Sequence, residues 1–338
     1  MPYMKWVVST EEICKRYLYT IFNMPPLSGI FYFRLSYQYD AEIIFVESIP
    51  YPIMKHIAIV CNPTLQQTKH ITSKVISYLT NKGVAHQTYM QDWPLQLEPF
   101  TDIWIIGGDG TLHQFINQYK IIAQPICLFK AGTGNDIHWM LYKDVSIEEQ
   151  IALALSGKFS FVDVGKCNGK LFIGGVGIGF DGAVVYDLLG KKRLAGKASY
   201  IPTIIKNLFG YSEKYYTIKV NDTLLQQDCF LISIANIKRY GGEYLVAPNA
   251  SVTDSKLDIN IVGKVHPMKR IKFLSDLAKG QHIALPFVHY EQSDKVLIQA
   301  AEPLHAHIDG EYTKADRFDI TLTDKKLTFS GVLTENMV

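Results

Sequence analysis

Hydrophobic positions fall into two textures along this chain. Residues 55–60 hold the short apolar run Ile57-Ala58-Ile59-Val60 and stop at Asn62-Pro63, the pattern of a strand buried on both faces. Ile71, Val75, Ile76 and Leu79 then recur at helical spacing until Asn81-Lys82-Gly83 ends the helix. Segments 84–89, 103–106 and 125–129 read as three more strands. Helices are expected at 112–119 and 147–155, the second closed by Gly157. Strands alternating with helices predict a parallel sheet covered by helices.

Beyond about residue 160 the runs become short and mostly alternating: 161–167, 170–176, 215–220, 229–236, 257–262, 295–300 and 317–323. Turn pairs such as Asn168-Gly169 and Asn221-Asp222 separate them, and helical interruptions are expected near 182–209 and 267–280. The predicted fold is therefore an α/β N-terminal domain with a parallel sheet, followed by a β-rich, sandwich-like C-terminal domain. The expected boundaries are 54–158 and 159–324, with 325–338 a candidate to rejoin the first domain. Residues 1–53 stand apart, holding 12 of the 41 aromatics in about a sixth of the length; an appended leader, an over-long start assignment and an interaction segment all fit them.

Composition narrows the function classes. Lys and Arg total 34 against 32 for Asp and Glu, so the net charge of +2 gives no footprint for nucleic acid. The longest uncharged run, 17–33, is broken by Pro25-Pro26, whereas a membrane-spanning helix needs about 20 apolar residues. No secretory signal pattern opens the chain. The cysteines (14, 61, 127, 167 and 229) form no CxxC pair and no compact framework, which fits a reduced, cytoplasmic compartment.

The chemistry is concentrated in two glycine loops. Gly107-Gly108-Asp109-Gly110-Thr111 follows the third strand, and its glycines let backbone amides approach an anion at the start of a helix. A carboxylate in an anion-binding loop needs a cation between it and the phosphate, so Asp109 points to a Mg2+-nucleotide; the other reading is a tight strand-to-helix turn with Asp109 as a cap near the helix start. Gly132-Thr133-Gly134-Asn135-Asp136 repeats the device after the fourth strand, and adjacent loops of this kind face one crevice of a parallel sheet.

These segments, GGDGTLHQFIN and AGTGNDI, resemble the hallmarks of the diacylglycerol kinase catalytic-domain family, which includes bacterial lipid kinases and the sphingosine and ceramide kinases. Asn62-Pro63, with Thr64, resembles the opening nucleotide segment. Val162-Asp163-Val164-Gly165 with 172–177, Gly241-Gly242 with Ala247-Pro248-Asn249-Ala250, Asp254-Ser255-Lys256-Leu257-Asp258, and Asp309-Gly310-Glu311 match later motifs in order. The resemblance covers about 55–335 and implies an NAD kinase/diacylglycerol kinase-like fold. It implies ATP and Mg2+ as cofactors, with Asp109 and Asp136 at the Mg2+-nucleotide. Glu311 is implied as the base on the acceptor side; in the sphingosine kinase branch the Asp of the first glycine loop takes that role. It further implies a structural Mg2+ held by Asp254 and the carbonyls of Ser251 and Lys256. The expected acceptor is a lipid alcohol met by reversible, peripheral contact with a membrane surface; monomer and homodimer both stay open.

The chain departs from the family pattern in three places. Thr64-Leu65-Gln66-Gln67 replaces a small residue and glycine after Asn62-Pro63, His138-Trp139 stands where a basic residue usually follows the second loop, and Ser255 replaces a glycine. These substitutions point to altered nucleotide preference or weakened catalysis. Gly177-Ile178-Gly179-Phe180-Asp181-Gly182 satisfies GxGxxG but lacks the following acidic residue, and His305-x-His307 lacks a third metal ligand. Lys191-Lys192-Arg193 with Lys197 reads as a solvated face or a contact for anionic headgroups. NAD kinase, the same-class rival, would carry an Asn-Glu pair and a TPTGSTAY-like segment, neither present; a non-catalytic lipid- or nucleotide-binding relative is the other rival.

Overall fold

The computed structural model describes residues 54–189, 201–241 and 244–333, preceded by two strands. Those strands, β1 (Tyr32–Ser36) and β2 (Phe45–Ile49), pair antiparallel with Tyr32 opposite Ile49 and belong to a unit of their own, Met1–Lys55. The rest of the expected leader and the Lys191–Lys197 basic cluster lie outside the described residues.

His56–Val338 forms the second unit. It opens with β3 (His56–Cys61), β4 (Ala85–Tyr89), β5 (Asp102–Gly107) and β6 (Ile126–Lys130), lying parallel in the order β4-β3-β5-β6. All six residues of β5 are buried, as a strand flanked by strands and covered on both faces requires. Helices α1 (Thr68–Asn81), α2 (Asp109–Gln118), α3 (Asp136–Tyr142) and α4 (Ile147–Leu155) supply the cover. Helix α1 buries Ile71, Val75 and Leu79, one stripe at i, i+4 and i+8. At the start of α4, Ser146 Oγ accepts the Glu149 amide at 3.2 Å. Helix α2 begins three residues earlier than the apolar pattern indicates, because Asp109, Gly110 and Thr111 make its first turn. Helix α3 is an element the periodicity did not register.

After β7 (Phe159–Val162) come β8 (Gly165–Cys167), β9 (Lys170–Phe172), β10 (Gly175–Gly179), β11 (Lys214–Val220), β12 (Thr223–Ala235), β13 (Leu257–Gly263), β14 (Val288–Ser293), β15 (Lys295–Ile308) and β16 (Glu311–Leu322). Strands β8 to β16 form a second, antiparallel sheet in the order β14-β13-β12-β10-β15-β16-β8-β9. On one edge the long strands β12 and β15 each change partner, pairing with β11 along one half and with β10 along the other. The ladder between β15 and β16 shifts register between Gln299 and Leu304, at the changeover.

The tail returns. Strand β17 (Leu327–Ser330) lies parallel to β6, with Phe329 opposite Ile126, and pairs antiparallel with β7 on its other side. The first sheet therefore has six strands, β4-β3-β5-β6-β17-β7. Strand β7, which the sequence reading places at the start of the β-rich domain, is the edge of the α/β sheet instead; the chain crosses between domains after it.

Three apolar clusters follow from this layout. One fills the α/β domain and takes in Ile173, Ile237 and Val252 from the β-rich segment, so the two domains share a core. The second fills the β-rich sheet. The third lies under α5 (Phe180–Leu188), α6 (Ile201–Gly210) and α7 (Pro267–Ala278). Buried Arg270 of α7 ties these helices together: it donates to the carbonyls of Val265 (2.9 Å), Leu208 (2.7 Å) and Tyr211 (2.9 Å) and pairs with Glu213 at 2.7 Å. The GxGxxG segment begins on β10, whose partners β12 and β15 are both antiparallel, so it is no dinucleotide turn.

Candidate active site

The ends of β5 and β6 meet backbone to backbone. A Cβ on Gly132 would stand 2.6 Å from the Gly108 Cα, so neither loop tolerates a side chain at the contact. Gly107 is needed for a different reason: a Cβ there would lie 2.5 Å from the Thr111 Cβ. Thr111 Oγ1 in turn accepts a hydrogen bond from Asn62 Nδ2 at 3.1 Å. The Asn62 Oδ1 accepts both the Thr64 amide (3.1 Å) and the Thr64 hydroxyl (2.7 Å), which fixes the turn after β3. Asn135 performs the same service for the second loop. In the left-handed region (φ 55°), it accepts from the Gly132 amide at 2.9 Å and donates to the Gly132 carbonyl at 2.8 Å.

Asp109 does more than follow a glycine. Its Oδ2 accepts the Asp136 amide at 3.0 Å and its Oδ1 the Ile137 amide at 3.1 Å, so the carboxylate of the first loop caps helix α3 of the second. The two acidic residues converge: the point where a Gly134 Cβ would stand is 3.3 Å from Asp109 Oδ2 and 3.5 Å from Asp136 Oδ2. Close surroundings first, then the Asp136 charge, push the Asp109 pKa up to about 7, against the lowering effect of the two amides. Two carboxylates held together around an open cradle are a site a divalent cation fits. Asp136 is itself buried and pairs with Arg239 Nε at 3.1 Å.

Glu311 arrives from the second domain on a two-residue hairpin. Asp309 and Gly310 both have positive φ (50° and 83°), and Ile308 faces Glu311 across the turn. Glu311 Oε1 lies 3.1 Å from where a Gly110 Cβ would be, facing the first loop beside Asp109. Asp309, absent from the expected site set, anchors the hairpin. Its Oδ1 accepts the amides of Gly174 (2.8 Å) and Gly175 (2.9 Å), its Oδ2 accepts that of Ile173 (3.0 Å), and His113 Nδ1 lies 3.3 Å from Oδ2. The Asp-Gly turn is visible in the sequence; its partners 134 to 196 residues away are not.

One cavity of about 920 Å³ collects these groups. Asn62, Thr64, Gly108, Asp109, Gly110, Thr111, Gly132, Thr133, Gly134, Asp136 and Glu311 line it, whereas Pro63, Gly107 and Asn135 are not on its wall. The wall continues over Phe180, Val184, Val185 and Leu188 of α5, Ile204 of α6, and Leu274 and Leu277 of α7. Asp181, Tyr240 and His307, not anticipated, also line it. The Tyr240 hydroxyl donates to Asp181 at 2.9 Å, and His307 Nε2 stands 3.9 Å from the same carboxylate.

Ser251, Asp254 and Lys256 lie off this wall. The Asp254 pKa is raised, first by burial, and its Oδ1 accepts the Lys256 amide at 3.1 Å. Nearby Asp163 accepts the Ser255 amide at 2.7 Å and pairs with Lys326 at 2.7 Å, and Lys326 also donates to Ser255 Oγ at 3.0 Å. The ammonium of Lys326 is thus held at this loop through Ser255 and the neighbouring Asp163. Among the described residues, no group of three His, Cys, Asp or Glu side chains converges for a metal.

The model for the diacylglycerol kinase catalytic domain matches residues 56–167, and that for the YegS C-terminal NAD kinase beta sandwich-like domain matches 174–325. The chain is 25% identical over 222 residues to the diacylglycerol kinase of Bacillus subtilis (strain 168), spanning 64% of this chain and 73% of that protein. It is 26% identical over 222 residues to the diacylglycerol kinase of Staphylococcus saprophyticus subsp. saprophyticus, spanning 64% and 72%. The crystal structure of a diacylglycerol kinase from Bacillus anthracis str. Sterne superposes with a TM-score of 0.65 at 18% identity, covering 84% of this chain and 98% of that one; the likeness is one of fold.

Proposed function

The chain belongs to the diacylglycerol kinase catalytic-domain family, and from that premise we propose that it is an ATP-dependent lipid kinase acting on a lipid hydroxyl. The observation that carries the lipid part is the continuity of the cavity. The wall that holds the glycine loops, Asp109, Asp136 and Glu311 runs on into an apolar lining from α5, α6 and α7. A polyphosphate suits the first part and an acyl or alkyl chain the second.

Asp109 and Asp136 would hold Mg2+, which supplies charge neutralisation between the carboxylates and the phosphates. The amides at the two glycine loops cradle phosphate oxygens, and the close Gly108–Gly132 contact keeps the loops at fixed separation. Glu311 takes the proton of the acceptor hydroxyl as that oxygen bonds to the γ-phosphorus and the bond from phosphorus to the ADP oxygen breaks. Asp309 acts through Glu311, fixing the hairpin that presents it.

The acceptor reaches the site from a membrane surface. The helices that line the apolar part expose Tyr186, Ile201, Ile205, Phe209, Met268 and Ile271 on their other faces, a set suited to shallow contact with lipid. Among the described residues no helix is long and apolar enough to cross a membrane. The decisive experiment is transfer from γ-labelled ATP to a panel of diacylglycerol, sphingoid base and phosphatidylglycerol, with NAD as a non-lipid control. Labelled lipid is expected; label on NAD alone, or no transfer by protein that binds nucleotide, would defeat the proposal.

A further inference from the structure

The cavity wall is acidic to a degree that a nucleotide site does not explain. Among the described residues it carries Asp109, Asp136, Asp181, Asp309 and Glu311 and neither lysine nor arginine. Phosphate oxygens entering such a wall meet repulsion, beyond what one divalent ion offsets. The sequence offers no help behind the second loop, where His138-Trp139 stands. His138 is buried with its Nε2 3.2 Å from Gln150 Oε1, and it does not line the cavity.

Trp139 has another use. The Arg239 guanidinium lies 3.9 Å from its ring centroid, and Arg239 Nε is 3.1 Å from Asp136 Oδ1, one turn back on α3. Arg239 comes from the other domain, on the segment after β12 whose Ile237, Tyr240 and Gly241 line the cavity. Stacking on an aromatic face steadies a guanidinium while leaving its in-plane N–H donors directed outward, which an ammonium cannot match. Lys143 Nζ also lies 3.7 Å from the Trp139 ring centroid, but Arg239 is the cation of the two that pairs with the wall.

We propose that Arg239, carried on the face of Trp139, is the phosphate-binding cation of this site, delivered from the β-rich domain to the place where the second glycine loop lacks a basic residue. Arg239 stands behind the wall, against the wall's Asp136; with nucleotide bound, its remaining N–H groups turn to phosphate oxygen. This rests on the nucleotide site proposed above but not on the identity of the lipid.

The test is calorimetric binding of ATP with Mg2+ to the full chain, with no lipid present. Arg239→Leu is expected to weaken binding about tenfold or more, the scale of a lost charge-assisted contact. Arg239→Lys is expected to fall between. The double variant Trp139→Arg with Arg239→Leu is expected to regain most of the affinity, because the cation then comes from α3 itself; a merely structural Arg239 would not be rescued this way. Melting temperatures establish that each variant is folded. Binding within about twofold of normal in folded Arg239→Leu would overturn the inference, as would a folded double variant no better than the single one. A loss seen in Lys143→Leu but not in Arg239→Leu would overturn it as well. If the unaltered protein binds no nucleotide, both this inference and the kinase proposal fall; normal binding by Arg239→Leu sinks this one alone.

Discussion

Replacing Asp309 by Asn isolates what its charge and acceptor geometry contribute. Asn tolerates the left-handed conformation (φ 50°) as readily as Asp, so the Asp309-Gly310 turn itself is not strained by the change. The hydrogen bonds cannot all survive. With Oδ1 kept as oxygen, the Gly174 and Gly175 amides stay satisfied, but the new Nδ2 confronts the Ile173 amide donor to donor. His113 can present an acceptor nitrogen to Nδ2; the Ile173 amide has no such choice. The flipped rotamer is worse, since it orphans two amides. One buried donor left unmade costs about 1–3 kcal/mol, and loss of ionic character weakens the remaining bonds by about 1 kcal/mol each. The expected destabilisation is therefore about 3–5 kcal/mol. Urea unfolding followed by both fluorescence and circular dichroism measures it, and amide hydrogen exchange reports faster exchange at Ile173 in particular. Because Glu311 sits two residues on, kcat should fall as well. A loss below about 1 kcal/mol with unchanged Ile173 exchange would refute the acceptor-geometry argument.

Three other outcomes are expected. Glu311→Gln should lower kcat strongly while leaving Mg2+-nucleotide affinity within about threefold, whereas Asp109→Asn should weaken that affinity directly; single-turnover rates with equilibrium binding separate the two, and poor nucleotide binding by Glu311→Gln would contradict the roles. With Asp109 raised to about 7, the folded protein keeps a proton that the unfolded chain releases near 3.8. Metal-free stability should therefore fall as pH rises between those values. Mg2+-nucleotide affinity, which needs the proton gone, should rise about tenfold from pH 6 to pH 8, and a flat profile would count against the assignment. Gly132→Ala would place its Cβ 2.6 Å from the Gly108 Cα, so the loops must part; a loss of about 1–3 kcal/mol in stability together with weakened nucleotide binding is expected, and a normal melting curve would argue against the contact.

Much of the α/β domain was legible residue by residue. The apolar runs at β3, β5 and β6 need no partner to be recognised, because a strand buried on both faces shows as a continuous hydrophobic segment. Glycine loops at the strand ends are equally local, since close backbone approach demands the absence of a side chain whatever lies opposite. The Asp309-Gly310 turn belongs with them: its dihedral requirement is written in two adjacent residues. Helix α3 was not legible, because seven residues with Asp136, Ile137, His138, Met140, Leu141 and Tyr142 buried carry no amphipathic stripe.

What only the tertiary structure decided is which groups meet across long stretches of chain. The sequence offers 325–338 to the first domain, but the place of β17 between β6 and β7 is not written in a four-residue segment. In the sequence Asp109 reads as the acid of an anion-binding loop, yet its oxygens also cap another helix 27 and 28 residues away. Trp139 reads as a departure from pattern, and Arg239, 100 residues on, carries no signal of its own until folding stacks one on the other. Composition and periodicity encode what each segment prefers, because propensity and burial act on neighbours a few residues apart. The charges and donors of the site are assigned by contacts between segments, and those exist only once both domains have packed against their shared core.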